Sequence, residues 1–193
     1  MPPPAFVIAS GSLPPGVPEN FFGLVARACN GRSKVIVDTA GPRLKAALAQ
    51  GVYMIKPNLH EFQGLTGLSA SDDAALVAAA RDLIERGQTD MVALSMGPEG
   101  ALLVTRDLAL RANGLPVDAV SVSGAGDSFL GAMVWSLINH GDLETALRYA
   151  VAAGSAALLS PGTELCRTAD VHRLVTDVAV RPIVRAPRRQ AGG

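Results

Sequence analysis

The clearest chemical feature of the sequence is the segment Gly124-Ala125-Gly126-Asp127, which directly precedes apolar residues at helical spacing. Two glycines let the backbone turn tightly, and the free N–H groups at the start of a helix attract an anion. If a phosphate occupies these N–H groups, Asp127 is placed to accept a proton from an attacking hydroxyl. The alternative is a glycine turn followed by an Asp helix cap. Taken alone, the four residues favour the cap.

A second polar segment, Lys56-Pro57-Asn58-Leu59-His60-Glu61, follows the short apolar run 53–55. Ligands of open α/β sheets bind outside the carboxyl ends of the strands, so polar chemistry is expected at this position. Asn58 and Glu61 would face one side of a starting helix, with Glu61 holding Mg²⁺ through water. The alternative is a capping box between the same two residues, and their spacing alone favours it.

A third segment, Ser95-Met96-Gly97-Pro98-Glu99-Gly100, ends another predicted strand. Its glycines would let a nucleotide approach the backbone closely. A plain turn between two strands explains the segment equally well. Both interpretations therefore stand.

The spacing of the residues also excludes several common kinds of binding site. The glycine spacing of Gly11 and Gly16 is that of a P-loop, but no Lys-Ser/Thr pair follows it. Phe129 stands where a dinucleotide-binding fingerprint needs its third glycine. The three histidines are isolated, and no cluster has metal-ligand spacing.

The polar segments lie between strands and helices that alternate along the chain. We predict strands at 5–9, 34–38, 53–55, 91–95, 101–105 and 109–112. We predict helices at 19–30, 42–50, 61–66, 74–86, 129–138, 143–159 and 171–178. This alternation predicts an α/β protein with a largely parallel sheet. Trp135 and Tyr149 lie on apolar helical stripes and are predicted to be in the core.

Composition narrows the function classes further. Hydrophobic residues make up 49% of the 193 residues and charged residues 18%, which excludes disordered and fibrous proteins. The last 13 residues contain four arginines and no acid, so residues 1–180 carry a net charge of −4, the wrong sign for a nucleic-acid binder. We expect one domain over 1–180 and a basic, disordered tail over 181–193.

The expected cellular setting is cytoplasmic. The two cysteines are far apart and form no CxxC pair, which is typical of a reducing compartment. The start of the chain does not have the pattern of a signal peptide. No apolar run approaches the ~20 residues that a membrane span needs, so we expect no membrane partner.

Taken together, the segments resemble the PfkB (ribokinase-like) family of carbohydrate kinases. Four motifs occur in the family's order, at 10–16, 56–61, 95–100 and 124–129, and are followed by the segments 151–157 and 162–166. The last two segments and the 10–16 loop are closest to the minor bacterial 6-phosphofructokinase branch. The resemblance implies a ribokinase-like three-layer α/β/α fold with a mostly parallel sheet.

The resemblance covers about residues 5–178 and begins one strand before the first motif. We therefore expect an N-terminally truncated fold without the β lid, which in the family is often the homodimer interface. The missing strands should leave a sheet edge and apolar surface exposed. Most of the family's sugar site would also be absent.

The activity that the resemblance implies is phosphoryl transfer from MgATP to a sugar phosphate, most simply fructose 6-phosphate. Asp127 would be the base, and the amides of Gly124, Ala125 and Gly126 would stabilise the transferring group. The nucleotide would be bound by Lys56, Asn58, Ser95, Gly97, Pro98, Gly100, Val151 and Ser155. Ser10 and Asp127 would contact the sugar, and Glu61 would serve Mg²⁺. K⁺ would be bound around Ser121, Ser123, Ala157, Ser160 and Gly162.

Two alternatives to this activity stay open. In the first, the chain is an inactive or nucleotide-binding-only fragment of such a kinase. In the second, it acts as a 1-phosphofructokinase or tagatose-6-phosphate kinase. A nicotinamide dehydrogenase, the general expectation for an α/β protein, is disfavoured because its fingerprint is absent.

Overall fold

Seven strands form one sheet, in the order in which they occur along the chain. The computed structural model describes residues 2–29, 31–162 and 164–183. The strands in this part are β1 (Phe6–Ser10), β2 (Lys34–Asp38), β3 (Val52–Ile55), β4 (Thr89–Ser95), β5 (Ala101–Thr105), β6 (Ala109–Ala112) and β7 (Val180–Pro182). β1 to β4 are parallel, and β5, β6 and β7 each run antiparallel to the preceding strand.

Helices cover both faces of the sheet. They are α1 (Phe21–Cys29), α2 (Gly41–Leu48), α3 (Leu59–Thr66), α4 (Asp73–Glu85), α5 (Ala125–Asn139), α6 (Leu143–Ala157) and α7 (Thr168–Leu174). α1 to α4 pack on one face and α5 to α7 on the other, so the protein has two apolar cores. The predicted three-layer α/β/α fold with a mostly parallel sheet is confirmed.

β2 shows why the sheet has this form. Successive side chains of a strand point to opposite faces. Val35 and Val37 accordingly enter the core under α1 to α4, and Ile36 enters the other core. All three are buried, so a continuous β-branched run is required, as is typical of a parallel strand covered on both faces.

The C-terminal strand β7 was not predicted. It pairs with β6, with Arg111 opposite Arg181, and Ile183 packs against the core beyond it. The predicted boundary at residue 180 between domain and tail therefore falls within a strand. Residues 184–193 of the predicted tail lie outside the described residues.

Two further predictions need correction. α5 begins at Ala125, four residues before the predicted start at 129, because the Gly124–Asp127 segment itself forms its first turn. Trp135 is not a core residue, since 48% of it is exposed. Its ring packs 5.3 Å from that of Tyr149, which is half-buried against the core of α5 to α7.

The edge of the sheet carries apolar surface, as expected. β1 is the edge strand of the described residues, and Ile8 on it is 46% exposed. Phe21 and Leu24 of α1 are 41% and 47% exposed. No helix among the described residues is long and apolar enough to cross a membrane.

Two helical glycines give a test of this packing. Adding a Cβ to Gly23 of α1 would place it 2.9 Å from the Ala46 carbonyl oxygen of α2, whereas a Cβ on Gly131 of α5 would meet nothing within 4 Å. Helix propensity alone favours Gly→Ala by ~1 kcal/mol at both sites. We expect Gly131→Ala to raise the free energy of unfolding by about that amount, and Gly23→Ala to lower it by ~1–3 kcal/mol through overpacking.

Urea unfolding followed by far-UV circular dichroism measures both changes. The two variants have the same chemical change in the same kind of element, so each is a control for the other. Stabilisation by Gly23→Ala equal to that by Gly131→Ala would show that α1 and α2 are not in close backbone contact.

Candidate active site

The carboxyl ends of the four parallel strands meet along one border of the sheet, and each carries polar residues. We call this border the carboxyl-end edge, and it is distinct from the edge strand β1. Ser10 ends β1, Asp38 ends β2, Lys56 directly follows β3, and Ser95 ends β4. This edge is where open α/β sheets bind ligands. Three of the four residues belong to predicted site segments, and Asp38 was not predicted.

Backbone hydrogen bonds tie these strand ends together. The N–H of Gly11 donates to the Asp38 carbonyl over 2.9 Å, and the Thr39 hydroxyl donates to the Gly11 carbonyl over 2.9 Å. The N–H of Ser95 donates to the Pro57 carbonyl over 3.1 Å. The segments after β1 and β2, and those after β3 and β4, are thereby held in fixed positions. Ser10 itself is exposed.

The centre of this edge is a buried ion pair. Lys56 Nζ lies 3.2 Å from Asp38 Oδ1, and the two side chains are only 6% and 14% exposed. Burial raises the pKa of the Asp38 carboxyl above its ordinary value, Lys56 opposes that rise, and the nearby carboxylates of Glu61 and Asp127 add to it. Asp38, Lys56, Glu61 and Asp127 thus interact electrostatically, and we call them the strand-end cluster.

The start of α5 completes the cluster. Gly124 is the N-cap residue with φ 76°, a left-handed conformation that favours glycine, and it makes no side-chain capping bond. Asp127 is therefore the third residue of the helix rather than its cap, and the prediction of an Asp N-cap is wrong. An ideal Cβ on Gly126 would lie 3.2 Å from Lys56 Nζ. The glycine segment thus brings the helix N-terminus against the lysine ammonium.

The first turn of α5 is open to an anion. The Asp127 side chain is exposed, and Gly124 to Gly126 are half-buried. The first N–H groups of a helix have no partner within it, and its dipole favours negative charge at this end. The arrangement can bind a phosphate between these N–H groups and the Lys56 ammonium, with a carboxylate beside it.

The capping box at Asn58 and Glu61 is present. Asn58 Oδ1 accepts from the N–H of Glu61, and Glu61 Oε2 accepts from the N–H of Asn58, each over 2.9 Å. This confirms the structural alternative for the spacing of the two residues. Each carboxylate oxygen has two lone pairs, so the box leaves Glu61 free to bind a cation as well.

A cation bound at Glu61 would take part of its coordination from the phosphates of a bound ligand. The described residues contain no group of three or more His, Cys, Asp or Glu side chains that could hold a metal ion. Mg²⁺ usually keeps several waters and takes one or two carboxylates plus phosphate oxygens. Glu61 within the strand-end cluster fits that pattern of ligands.

The segment after β4 has a structural explanation. Residues Gly97–Glu99 form a 3₁₀ turn that joins antiparallel β4 and β5, so the plain-turn interpretation holds. An ideal Cβ on Gly100 would collide with the Ala112 carbonyl oxygen, and one on Gly114 with the Pro98 carbonyl. Glycine is required here because two backbones touch. Gly114 was not predicted, and its partner Pro98 is 16 residues away in sequence.

The predicted nucleotide residues of α6 lie against α5. An ideal Cβ on Gly154 would be 3.3 Å from the Ala125 carbonyl oxygen, so the two helices are in close contact beside the glycine segment. Val151 is buried in the core, and Ser155 is half-buried next to Gly154.

The residues predicted to bind K⁺ are brought together only in part. The Ser121 hydroxyl donates to the Gly162 carbonyl over 2.7 Å and accepts from the N–H of Ser123 over 3.2 Å. Ser160 is 1% exposed, and its hydroxyl donates to the Leu165 carbonyl rather than to that of Gly162. Its N–H donates to the Ala157 carbonyl. The carbonyl oxygens of Gly162 and Ala157 each keep a second lone pair, so each can also accept a bond to a monovalent cation.

A cleft of about 620 Å³ lies away from this chemistry. Its lining includes Ser33, Lys34, Gly51 and Val52, which stand at the amino ends of β2 and β3. None of the four residues of the strand-end cluster lines that cleft, and the buried ion pair, the open helix N-terminus and the carboxylates all lie at the opposite edge. We take the carboxyl-end edge as the site.

The chain resembles known proteins along most of its length. Residues 3–170 match the model of the pfkB family carbohydrate kinases. The chain is 39% identical over 179 residues to the ATP-dependent 6-phosphofructokinase isozyme 2 of Mycobacterium tuberculosis, covering 92% of this chain and 52% of that protein. It is 30% identical to the 1-phosphofructokinase of Borreliella burgdorferi, covering 92% and 57%.

A solved structure shows the same fold. Phosphofructokinase-2 from Escherichia coli, in complex with potassium, superposes with a TM-score of 0.83 at 36% identity, covering 89% of this chain and 56% of that one. The chain therefore spans about half the length of the relatives it matches.

Substitution of Glu61 separates its structural role from its charge. Glu61→Ala removes both the bond to the Asn58 N–H and the negative charge near the helix start, and we expect a loss of ~1–2 kcal/mol of unfolding free energy. Glu61→Gln keeps an oxygen that can accept this bond, so only the favourable charge near the helix start is lost, worth a few tenths to ~1 kcal/mol. Urea unfolding at neutral pH compares the two variants. Equal losses would contradict the capping box.

Proposed function

The chain belongs to the pfkB family of carbohydrate kinases, and we propose that its strand-end cluster binds MgATP and transfers the γ-phosphoryl group to a hydroxyl of a ketose phosphate. The observation that carries this proposal is the contact between Lys56 and the start of α5. A buried ammonium lies against Gly126, and the exposed carboxylate of Asp127 follows one residue later. An ammonium and free helix N–H groups at one point suit a phosphate, and the carboxylate suits a proton transfer.

Asp127 acts as the general base in this proposal. The acceptor oxygen forms a bond to the γ-phosphorus, and its proton passes to an Asp127 carboxylate oxygen. The bond from that phosphorus to the bridging oxygen breaks, and its electron pair leaves on ADP. The N–H groups of Gly124, Ala125 and Gly126 stabilise the negative charge on the transferring group, as fixed donors do in phosphoryl transfer.

The remaining residues orient the nucleotide and the cations. Lys56 neutralises phosphate charge, and Asn58 lies at the start of α3 beside the phosphates. Ser95, Gly97, Pro98 and Gly100, together with Val151 and Ser155, line the nucleotide in this proposal. Mg²⁺, when bound, neutralises phosphate charge and is served by Glu61. K⁺ is held by the oxygens around Ser121 and Gly162, with Ser123, Ala157 and Ser160 nearby.

Fructose 6-phosphate is the proposed acceptor, with Ser10 touching the sugar. Support comes from the relative of 39% identity, which is named for that substrate. Other relatives are named 1-phosphofructokinase and D-tagatose-1-phosphate kinase. Fructose 1-phosphate and tagatose phosphates are therefore the acceptors to compare with it.

A second candidate is a nucleotide-binding protein without phosphoryl transfer. It is favoured by the chain's spanning only 52% of the relative of 39% identity. The residues proposed to bind the nucleotide, from Lys56 to Ser155, all belong to this chain, so this candidate binds MgATP but phosphorylates none of the ketose phosphates.

Asp127→Asn tests the assigned chemistry. Loss of a general base lowers turnover by roughly 10²–10⁴-fold, and we expect that loss in ADP release with MgATP, K⁺ and fructose 6-phosphate. Binding of MgATP, measured by isothermal titration calorimetry, should persist, because the N–H groups and Lys56 are unchanged.

The matched control is Asp82→Asn. Asp82 is 54% exposed near the end of α4 that leads into β4, away from the carboxyl ends of the strands, and it pairs with Arg86. Its turnover should equal that of the unsubstituted protein. Unchanged turnover in Asp127→Asn would refute the role of Asp127. MgATP binding without transfer to any of the three acceptors would support the second candidate.

A further inference from the structure

Asp38 provides the only ion pair that Lys56 makes within the described residues. The ammonium is almost fully enclosed, so water does not replace that partner. An ammonium buried without a partner is strongly destabilising, because its lost hydration is not replaced. The place that the Lys56 ammonium takes in the site therefore depends on Asp38.

The location of the ammonium makes the dependence stronger. It lies against Gly126 in the first turn of α5, where the helix dipole is positive and a cation is disfavoured. The acidic residue of that turn, Asp127, is exposed and makes no ion pair with Lys56 within the described residues, so it does not replace Asp38. Gly126 only provides the space, since an ideal Cβ there would approach Nζ to 3.2 Å.

Asp38 is rigidly placed to hold the ammonium. It is the last residue of β2, and its carbonyl accepts from the N–H of Gly11. The N–H of Lys56 donates to the carbonyl of the neighbouring Val37 over 3.3 Å, which fixes the backbones of the two partners relative to each other. The carboxylate is thus held by the sheet rather than by a loop.

We propose that Asp38 is a positioning residue that holds the Lys56 ammonium at the N-terminus of α5, where the phosphates of MgATP bind. This inference rests on the proposed function. Asp38 acts through Lys56, with which its carboxylate is paired over 3.2 Å, rather than by contact with the phosphates.

A double-mutant cycle separates this role from a general structural one. If Asp38 acts only through Lys56, its substitution has no effect on MgATP binding once the lysine is gone. If Asp38 instead supports the site in some other way, the two losses add. The four proteins are the unsubstituted chain, Asp38→Asn, Lys56→Met and the double variant.

Isothermal titration calorimetry with MgATP is the measurement. We expect Lys56→Met to weaken binding by roughly 10- to 100-fold, the usual effect of losing one bond to a charged group. Asp38→Asn should weaken it by roughly tenfold. The double variant should bind within about twofold of Lys56→Met, and Asp82→Asn should bind as the unsubstituted protein does.

The double variant also guards against misfolding. Asp38→Asn alone leaves a buried lysine without its partner, which is strongly destabilising, whereas the double variant leaves no unpaired charge. Lys56→Met leaves Asp38 unpaired, but Asp38 is more exposed than Lys56, and burial raises the pKa of its carboxyl, which favours the neutral form. If Asp38→Asn fails to fold, comparison of the double variant with Lys56→Met therefore still decides, and equal MgATP affinity of the two supports the inference.

The experiment distinguishes a failure of this inference from a failure of the proposed function. MgATP binding with additive losses, or a double variant roughly tenfold weaker than Lys56→Met, would overturn the positioning role alone. Absence of MgATP binding by the unsubstituted chain would overturn the proposed function and this inference together.

Discussion

A lysine ammonium buried beneath the end of a sheet needs a partner, because removing an ion from water costs several kcal/mol. Here the partner comes from the next strand, since Asp38 ends β2 and Lys56 follows β3. Only a parallel arrangement brings the carboxyl ends of neighbouring strands to the same edge; an antiparallel pair would place these residues at opposite edges. The parallel part of the sheet is therefore the condition for the strand-end cluster, and the helices that cover its two faces exclude water from the pair.

The helix that carries the proposed base is positioned by residues that lack bulk. Gly124 permits the left-handed turn into α5, and Gly126 admits the lysine ammonium against the first turn. Gly154 lets α6 approach α5 beside the same turn. A side chain at Gly124 would strain the backbone, and one at Gly126 or Gly154 would make the neighbouring atoms shift by a few tenths of an ångström. The position of Asp127 relative to Lys56 therefore depends on these glycines as well as on side-chain contacts.

The elements that could be predicted from the sequence are those with their own periodic signal. The strand at 34–38 was predicted with its observed bounds because a continuous β-branched run allows no other element. β7 has three residues, one of them Pro182, and forms because β6 offers an unpaired edge, which leaves no local trace. Trp135 shows the related limit: helical spacing identifies an apolar face, but not whether another element covers it.

The site was predictable where a motif is local and not where it depends on pairing between strands. Asp38 lies 18 residues before Lys56, and nothing in that spacing joins them until β2 and β3 pair. The local motifs also have structural roles, and these roles differ from one motif to another. At Asn58 and Glu61 the capping box uses only part of the hydrogen-bonding capacity of the carboxylate, so capping and cation binding are compatible.

At Gly100 the space that a side chain would occupy is filled by backbone, so the glycine is explained without a ligand. At Gly126 the neighbour is instead a charged ammonium beside free helix N–H groups, an arrangement that backbone packing does not require. The two glycine-containing segments therefore differ in what their glycines make room for. Of the two, the segment at the start of α5 has space and positive charge at the same point, which is why the phosphate-binding role is proposed there.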